Sequence, residues 1–158
     1  MSQDRDRLIE VALDAASLAP AGASLDQERR IALFDLKESN SFAVEGADAG
    51  PYALLLGLEQ GRLAFKLSAA DGAPVCAHQL SLAPLRKPIK DYFLICESYA
   101  AAIRDASPAR IEAIDMGRRG LHNECAEILV RGLEGAFRID FETARRLFTL
   151  ICALQVRG

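Results

Sequence analysis

The residues best suited to chemistry are concentrated in one short segment of the chain, between Ile114 and Glu124. This segment supplies six candidate site residues: Asp115, Arg118, Arg119, His122, Asn123 and Glu124. Guanidinium groups bind carboxylates and phosphates through paired N–H donors. An unperturbed imidazole exchanges a proton near neutral pH, and a neighbouring carboxylate can set its tautomer. The segment therefore predicts a site that binds an anion or a partner protein, with His122 as the group that could move a proton.

Helical periodicity turns Arg118 toward the inside of the protein. The apolar stripe that reaches Ile114 continues four residues later at Arg118 and three residues after that at Leu121. A buried charge without a partner is too costly to persist. We therefore expect Arg118 to meet a carboxylate, an anionic ligand, a water-filled cleft or another chain.

Two glycines leave the backbone of this segment open to two predictions. Gly117 and Gly120 each cost a helix about 1 kcal/mol relative to alanine. If they break the helix, the N–H groups of a following helix join Arg118 and Arg119 in an anion site. If the helix continues, Asp115 pairs with Arg119, and Arg118 lies beside His122. Internal salt bridges that lock two helices, an anion site and a protein contact all remain compatible with the pattern.

Other motifs argue against a standard catalytic or metal-binding mechanism. The chain has no Gly-x-Ser-x-Gly elbow, no phosphate-binding loop and no dinucleotide fingerprint. Cys76-x-His78 and His122-x-x-Cys125 could supply four metal ligands, but neither spacing matches a zinc finger or ribbon. We predict no metal and no cofactor, and we interpret the cysteines as small reduced thiols.

Composition narrows the class of protein. With 158 residues, 51% of them hydrophobic and 26% charged, we expect one globular domain over residues 1–158. The net charge of −3 disfavours a nucleic-acid partner. The longest uncharged stretches are too short to span a membrane. Four cysteines without a CxxC pair, and no apolar leader, predict the reducing cytoplasm.

The first half of the chain predicts mainly strands. Ile9, Val11 and Leu13 alternate with polar or small residues, which is typical of a strand over 7–14. A loop over 15–23 and a helix over 24–39 follow, the helix with an apolar stripe that includes Ile31, Phe34 and Leu36. Short Gly-containing connections then favour an antiparallel meander. Its strands are predicted at 42–45, 52–59, 62–69 and 74–82.

The second half predicts helices at 85–105, from Pro108 onward and at 141–156, with a short strand at 137–139. The last helix is apolar almost all round from Leu147 to Leu154, so it belongs either in the core or in the interface of a homodimer. Two basic clusters are predicted to be solvated: Arg86, Lys87 and Lys90 at the start of the first of these helices, and Arg145-Arg146 on the last. The fold class is α+β, an antiparallel meander of four or five strands covered by about four helices, with a helical C-terminal half.

Four segments together resemble the uncharacterised protein family 0262 of alphaproteobacteria. They are Gly50-Pro51-Tyr52, residues 90–99 (KDYFLICESY), residues 111–124 (IEAIDMGRRGLHNE) and residues 139–150 (IDFETARRLFTL). The resemblance covers nearly the whole chain and implies a small bacterial cytoplasmic protein. It implies no catalytic residue.

The residues favour a function without catalysis. We expect a cytoplasmic regulatory or adaptor module that binds a partner protein through the segment from Asp115 to Glu124. The alternative is a small-anion site, for binding or catalysis, in which Arg118 and Arg119 hold a phosphate or carboxylate and His122 moves a proton.

Overall fold

The computed structural model describes residues 5–19 and 23–156. Its fold class is α+β, as the sequence predicts. The strands are β1 (Leu8–Leu13), β2 (Phe42–Val44), β3 (Tyr52–Glu59), β4 (Arg62–Ala69), β5 (Pro74–Ser81) and β6 (Phe137–Ile139). The helices are α1 (Ala23–Glu38), α2 (Arg86–Asp105), α3 (Pro108–Leu133) and α4 (Phe141–Ile151). Residues 20–22 of the predicted loop lie outside the described residues.

The main sheet has the order β1-β3-β4-β5. Strands β3, β4 and β5 form the predicted antiparallel meander, and the β3–β4 turn places both Gln60 and Gly61 at positive φ, 53° and 76°. The prediction that the first strand of the meander lies at 42–45 is wrong. That segment is β2, which pairs instead with β6 in a separate two-stranded sheet, where the rings of Phe42 and Phe137 lie 4.9 Å apart.

Strand β1 completes the main sheet by pairing in parallel with β3. The long connection through α1 and β2 makes this parallel pairing feasible. A shift of register between Leu8 and Glu10 interrupts the predicted alternation, so Leu8 and Val11 are buried while Ile9 and Leu13 are only half-buried. Val11 is therefore buried as the alternation predicts, but Leu8 rather than Ile9 is the other buried residue of β1.

Helix α1 begins and ends within one residue of its predicted bounds, but its burial differs. Ala32 and Leu36 are buried, whereas Ile31 and Phe34 are 51% and 66% exposed. The helix packs against β1 and α4. Apolar residues occupy more of its circumference than these neighbours cover, so part of the predicted stripe faces outward.

Helices α2 and α3 lie side by side. They are antiparallel, because the earlier residue of α2, Tyr92, contacts the later residue of α3, His122, while Tyr99 contacts Arg118. Ser107 caps α3 by accepting a hydrogen bond from the backbone N–H of Arg110 at 3.3 Å. The helix continues through Gly117 and Gly120 without a break. A Cβ atom on Gly117 would lie 2.9 Å from Cδ1 of Ile95, so this glycine permits the close approach of the two helices.

Helix α4 belongs to the hydrophobic core. Its residues Leu147, Phe148, Leu150 and Ile151 have no exposed surface. The helix ends at Ile151, earlier than the predicted 156, because the following backbone pairs with the chain after β1: Ala153 accepts from the N–H of Ala19 at 3.0 Å. None of the helices within residues 5–19 and 23–156 has the length and apolar character needed to cross a bilayer.

Candidate functional site

A cleft of about 420 Å³ opens on the helical side of the molecule. Helix α4 packs against both α1 and α3, so it forms the floor and the other two helices form the walls. We name this the arginine cleft because Arg118 and Arg119 of α3 and Arg145 and Arg146 of α4 all line it. Its volume lies within the range of about 300–1,000 Å³ that is typical of sites for small molecules.

Arg118 lies half-buried in the wall formed by α3, with a quarter of its side chain exposed (25%). Its Nη2 and Nε donate to Oδ1 of Asp115 at 2.6 and 3.2 Å, and its guanidinium lies 4.6 Å from the centre of the Tyr99 ring. Burial is the largest single influence and lowers the pKa of Arg118, but the hydrogen bond to Asp115 and the charge interactions with Tyr92, Asp115 and Cys96 together outweigh burial, so the pKa is raised. Arg118 thus meets a carboxylate of its own chain and still reaches the cleft.

Asp115 holds a second guanidinium as well. Its Oδ2 lies 3.2 Å from Nε of Arg119, whose side chain is 59% exposed at the cleft. This is the arrangement that a continuous helix predicts, with the pair one turn apart. One carboxylate therefore faces two guanidinium groups, and each guanidinium carries five N–H donors. Several donors on Arg118 and Arg119 remain available to a ligand.

The floor of the cleft contributes two more arginines. Arg145 lies 3.4 Å from a carboxylate oxygen of Glu142, and Arg146 donates to the backbone carbonyl of Ser39 at 2.9 Å. The sequence prediction that this pair is merely solvated missed their position in a cleft. The spacing of α4 places these arginines opposite its apolar face, but nothing local in the sequence shows which helices lie on either side of them.

His122 is held between the cleft and the core. Its Nε2 lies 2.9 Å from Oγ1 of Thr149, and that hydroxyl donates to the carbonyl of Arg145. The Thr149 oxygen therefore accepts the Nε2 proton, which leaves Nδ1 of His122 unprotonated. The ring also makes edge contacts with Tyr92 and Phe148, with centroids 5.5 and 5.2 Å apart.

The surroundings of His122 keep it neutral. Burial lowers its pKa to about 4, helped by the charges of Arg145 and Arg118. At neutral pH it cannot act as a general acid. Burial likewise raises the pKa of Tyr92 well above its ordinary range, so its phenol stays protonated.

Of the six candidate residues, Arg118, Arg119 and His122 line the arginine cleft, whereas Asp115, Asn123 and Glu124 do not. Asn123 lines an adjoining concavity of α3 and α4, which we name the outer hollow, together with Met116, Gly120 and Phe141. Arg119, Glu142 and Arg145 line both concavities. Glu124 is exposed and lines neither concavity. Successive helical residues differ by about 100° around the axis, so six polar residues in a short helical segment cannot share one face.

The other wall of the cleft is formed by residues for which the sequence predicted no functional role. Helix α1 contributes the carboxylates of Glu28 and Asp35, with Ile31 and Ala32 between them. The spacing of seven residues places both acids on one face of the helix. That spacing was visible in the sequence, but its relation to Arg118 depends on how α1 and α3 pack around α4.

The cysteines and histidines show no metal centre. Within the described ranges, no three side chains of His, Cys, Asp or Glu come together as a metal ion requires. His78 places its ring edge-on against Phe137, with centroids 5.5 Å apart. Burial, with a smaller contribution from Glu124, raises the pKa of Cys125 to about 12, so its thiol stays protonated at neutral pH.

Residues 5–157 match the model of the uncharacterised protein family UPF0262. A UPF0262 protein of Methylobacterium radiotolerans is 56% identical over 153 residues, which cover 97% of this chain and 95% of that protein. A UPF0262 protein of Maricaulis maris is 53% identical over 158 residues, 100% of this chain and 99% of the relative. One from Rhodopseudomonas palustris is 53% identical over 153 residues, 97% and 94% of the two chains.

No solved structure matches this protein. The resemblance that the four sequence segments predicted is nevertheless confirmed, because the family model extends over nearly the whole chain and the relatives align with it along almost their full lengths. The chain belongs to the uncharacterised protein family UPF0262.

Proposed function

We propose that the protein binds a small carboxylate or phosphate in the arginine cleft. The observation that carries this proposal is the convergence of four arginines, from two different helices, on one concave surface of ligand size. Arginine presents a planar fork of donors that matches both kinds of anion. The residues that sequence analysis connected with anions, Arg118 and Arg119, form one wall of this surface.

His122 lies within range of the charges of two of the four arginines. The charges of Arg145 and Arg118 add to burial in lowering its pKa. Both arginines therefore act on the same part of the cleft. Positive potential at that point favours an anion.

The role we infer is binding without catalysis. His122 is neutral, and its Nε2 proton is engaged by Thr149. The Thr149 hydroxyl in turn donates to the Arg145 carbonyl at 3.3 Å, so no base prepares it as a nucleophile. Ligand binding in the cleft would suit a regulatory module that senses a small molecule.

Thermal denaturation with inorganic phosphate or glutarate, at constant ionic strength, tests the proposal. A ligand at one hundred times its dissociation constant stabilises the folded state by about 2.7 kcal/mol, so the melting temperature should rise by several degrees. Arg118→Gln should lose this rise, since it removes a guanidinium from the cleft. Asp115 keeps Arg119 as a partner in that variant.

Arg138→Gln is the matched control. Arg138 also forms an ion pair, with Glu45 at 2.6 Å, but it lies on β6 and does not line the cleft. Its variant should respond to both probes as the wild type does. An equal loss of response in both variants, or no response of the wild type to either probe, would contradict the proposal.

A second candidate function is the binding of a partner protein at the outer hollow. Met116 and Phe141 are 62% and 37% exposed there, and Arg119 and Gly120 line the same hollow. Exposed apolar side chains with a cationic neighbour are frequent at the centre of protein contacts. This hollow contains the outer face of the segment from Asp115 to Glu124, the segment expected to contact a partner.

Affinity capture with the wild type, Met116→Arg and Ile103→Arg tests this second function. Ile103 is 55% exposed on α2 and lies outside the hollow, so it serves as the control. We expect a protein that is captured by the wild type and by Ile103→Arg, that is lost with Met116→Arg, and that binds the wild type when both are purified. Identical captures by all three would exclude the hollow as the interface.

A further inference from the structure

We propose that the arginine cleft recognises a zwitterion, a small molecule with a carboxylate or phosphate at one end and a protonated amine at the other. This inference rests on the proposed anion binding and adds the second half of the ligand. It comes from the opposite charges of the two walls. Helix α3 presents Arg118 and Arg119, whereas α1 presents Glu28 and Asp35.

The carboxylates that α1 contributes to the cleft are not the ion-pair partners of its arginines, three of which pair with Asp115 and Glu142 instead. Within the described part of the chain, neither Glu28 nor Asp35 lies within 4.0 Å of a guanidinium nitrogen of Arg118, Arg119, Arg145 or Arg146. Asp115 and Glu142 neutralise part of the positive charge within α3 and α4 themselves. The charges of these two acids are therefore not neutralised by the arginines of the cleft, and they act on whatever occupies it.

A simple anion would gain from α3 and α4 but would be repelled by α1. Charges within about 8–10 Å interact appreciably at physiological ionic strength, and a cleft of this size brings both walls within that range of any occupant. An occupant with both signs of charge gains from both walls. The separation of opposite charges across the cleft therefore restricts the choice of ligand more than the net charge of the cleft would.

The α1 wall also offers apolar surface to an aliphatic part of the ligand. Ile31 and Ala32 lie between Glu28 and Asp35 along α1, and the ring of Tyr92 lines the same concavity. Ile31 is half exposed, so a methylene chain laid against it would remove apolar surface from water.

The two charged groups of the ligand must be several bonds apart. Axes of helices in contact lie about 8–10 Å apart. Helices α1 and α3 flank α4, so their facing side chains are separated by more than a single hydrogen bond. The geometry therefore favours an amine and an anion at opposite ends of a chain over the adjacent groups of an α-amino acid.

Isothermal titration with three compounds of one chain length tests the inference. The probes each have five carbons. They are 5-aminopentanoate, which carries one amine and one carboxylate, glutarate, which carries two carboxylates, and cadaverine, which carries two amines. For the wild type we expect 5-aminopentanoate to bind at least about tenfold more tightly than glutarate, a difference of about 1.4 kcal/mol. Cadaverine should bind more weakly than 5-aminopentanoate.

Asp35→Asn should remove this preference, so that glutarate binds at least as well as 5-aminopentanoate. Glu28→Gln is the second variant, used if circular dichroism shows that Asp35→Asn does not fold. Glu112→Gln is the control, because Glu112 is an exposed acid on α3 that does not line the cleft. The control should retain the wild-type preference.

The outcomes separate this inference from the proposed function. If glutarate and 5-aminopentanoate bind the wild type equally, and Arg118→Gln weakens both, the zwitterion is overturned while the anion site stands. If cadaverine binds most tightly, the cleft is a cation site and both proposals fail. If none of the three probes binds the folded wild type, and phosphate does not bind either, both proposals also fail.

Discussion

The two faces of α4 differ sharply in what they contact. One face packs into the core without exposed surface: Thr143, Ala144, Leu147, Phe148, Leu150 and Ile151. The other face forms the floor of the arginine cleft: Glu142, Arg145, Arg146 and Thr149. A helix of 11 residues thus supports the fold on one side and presents a charged surface on the other.

Because of this difference, we expect stability and ligand binding to respond to different substitutions in the same helix. The 3.6-residue period separates the two sets of side chains cleanly. His122 contacts both faces, because it hydrogen bonds to Thr149 of the cleft face and packs against the ring of Phe148 of the core face. Substitutions at these positions can test how independent the two faces are.

The largest effect should come from the core face. Phe148→Ala removes a fully buried ring that contacts both Tyr92 and His122, so we expect the free energy of unfolding to fall by about 3–5 kcal/mol. Urea denaturation measures this loss. Arg146→Ala, on the cleft face, should cost only about 0.5–1.5 kcal/mol through its bond to Ser39. Equal losses would show that the two faces are not energetically distinct.

The next effect is a dependence of stability on pH through His122. Its pKa is lowered from 6.5 to about 4 in the folded state, so the unfolded chain binds the proton more readily. Stability should therefore be constant with respect to this group above pH 6.5 and should fall on acidification toward pH 4, by roughly 3 kcal/mol in all. Urea denaturation between pH 7 and pH 4 measures this slope.

His122→Gln provides the comparison for that slope. Its amide can still donate to Thr149, but it does not titrate. The variant should lose less stability than the wild type between pH 6.5 and pH 4, since other groups titrate in both proteins. Identical curves would show that His122 is not held neutral by the fold.

At Asp115 we expect a smaller loss of stability together with stronger ligand binding. Asp115→Asn removes the carboxylate that Arg118 and Arg119 share, so the free energy of unfolding should fall by about 1–2 kcal/mol. The same change frees both guanidinium groups and should strengthen the binding of glutarate, as measured by titration calorimetry. Weaker binding would mean that Asp115 positions the arginines more than it competes with the ligand.

The smallest effect should be found at Phe34, on the outer face of α1. Its side chain is 66% exposed, so Phe34→Ser should change the free energy of unfolding by no more than about 0.5 kcal/mol. Leu36→Ala, two residues later and fully buried, should cost about 2–5 kcal/mol in the same urea experiment. A large loss at Phe34 would mean that this ring is covered in solution.

The elements themselves could be predicted because their signals are local. Strands β3 and β4 match the predicted 52–59 and 62–69, and Gly61 marks the turn between them. The partner of β2 could not be predicted, because β6 lies more than 90 residues further along the chain and both strands are only three residues long. A short strand is identified by what it packs against, which no local pattern records.

The sequence alone determined the helices and strands, the family and the inward direction of Arg118, because each of these follows from a repeat of two to four residues or from a long motif. Only the tertiary structure decided that Glu28 and Asp35 line the same cleft as Arg118 and Arg145. These residues come from helices that are far apart in the chain and are brought together by packing against α4. Periodicity places a charge on a face, whereas the packing of several helices chooses what that face meets.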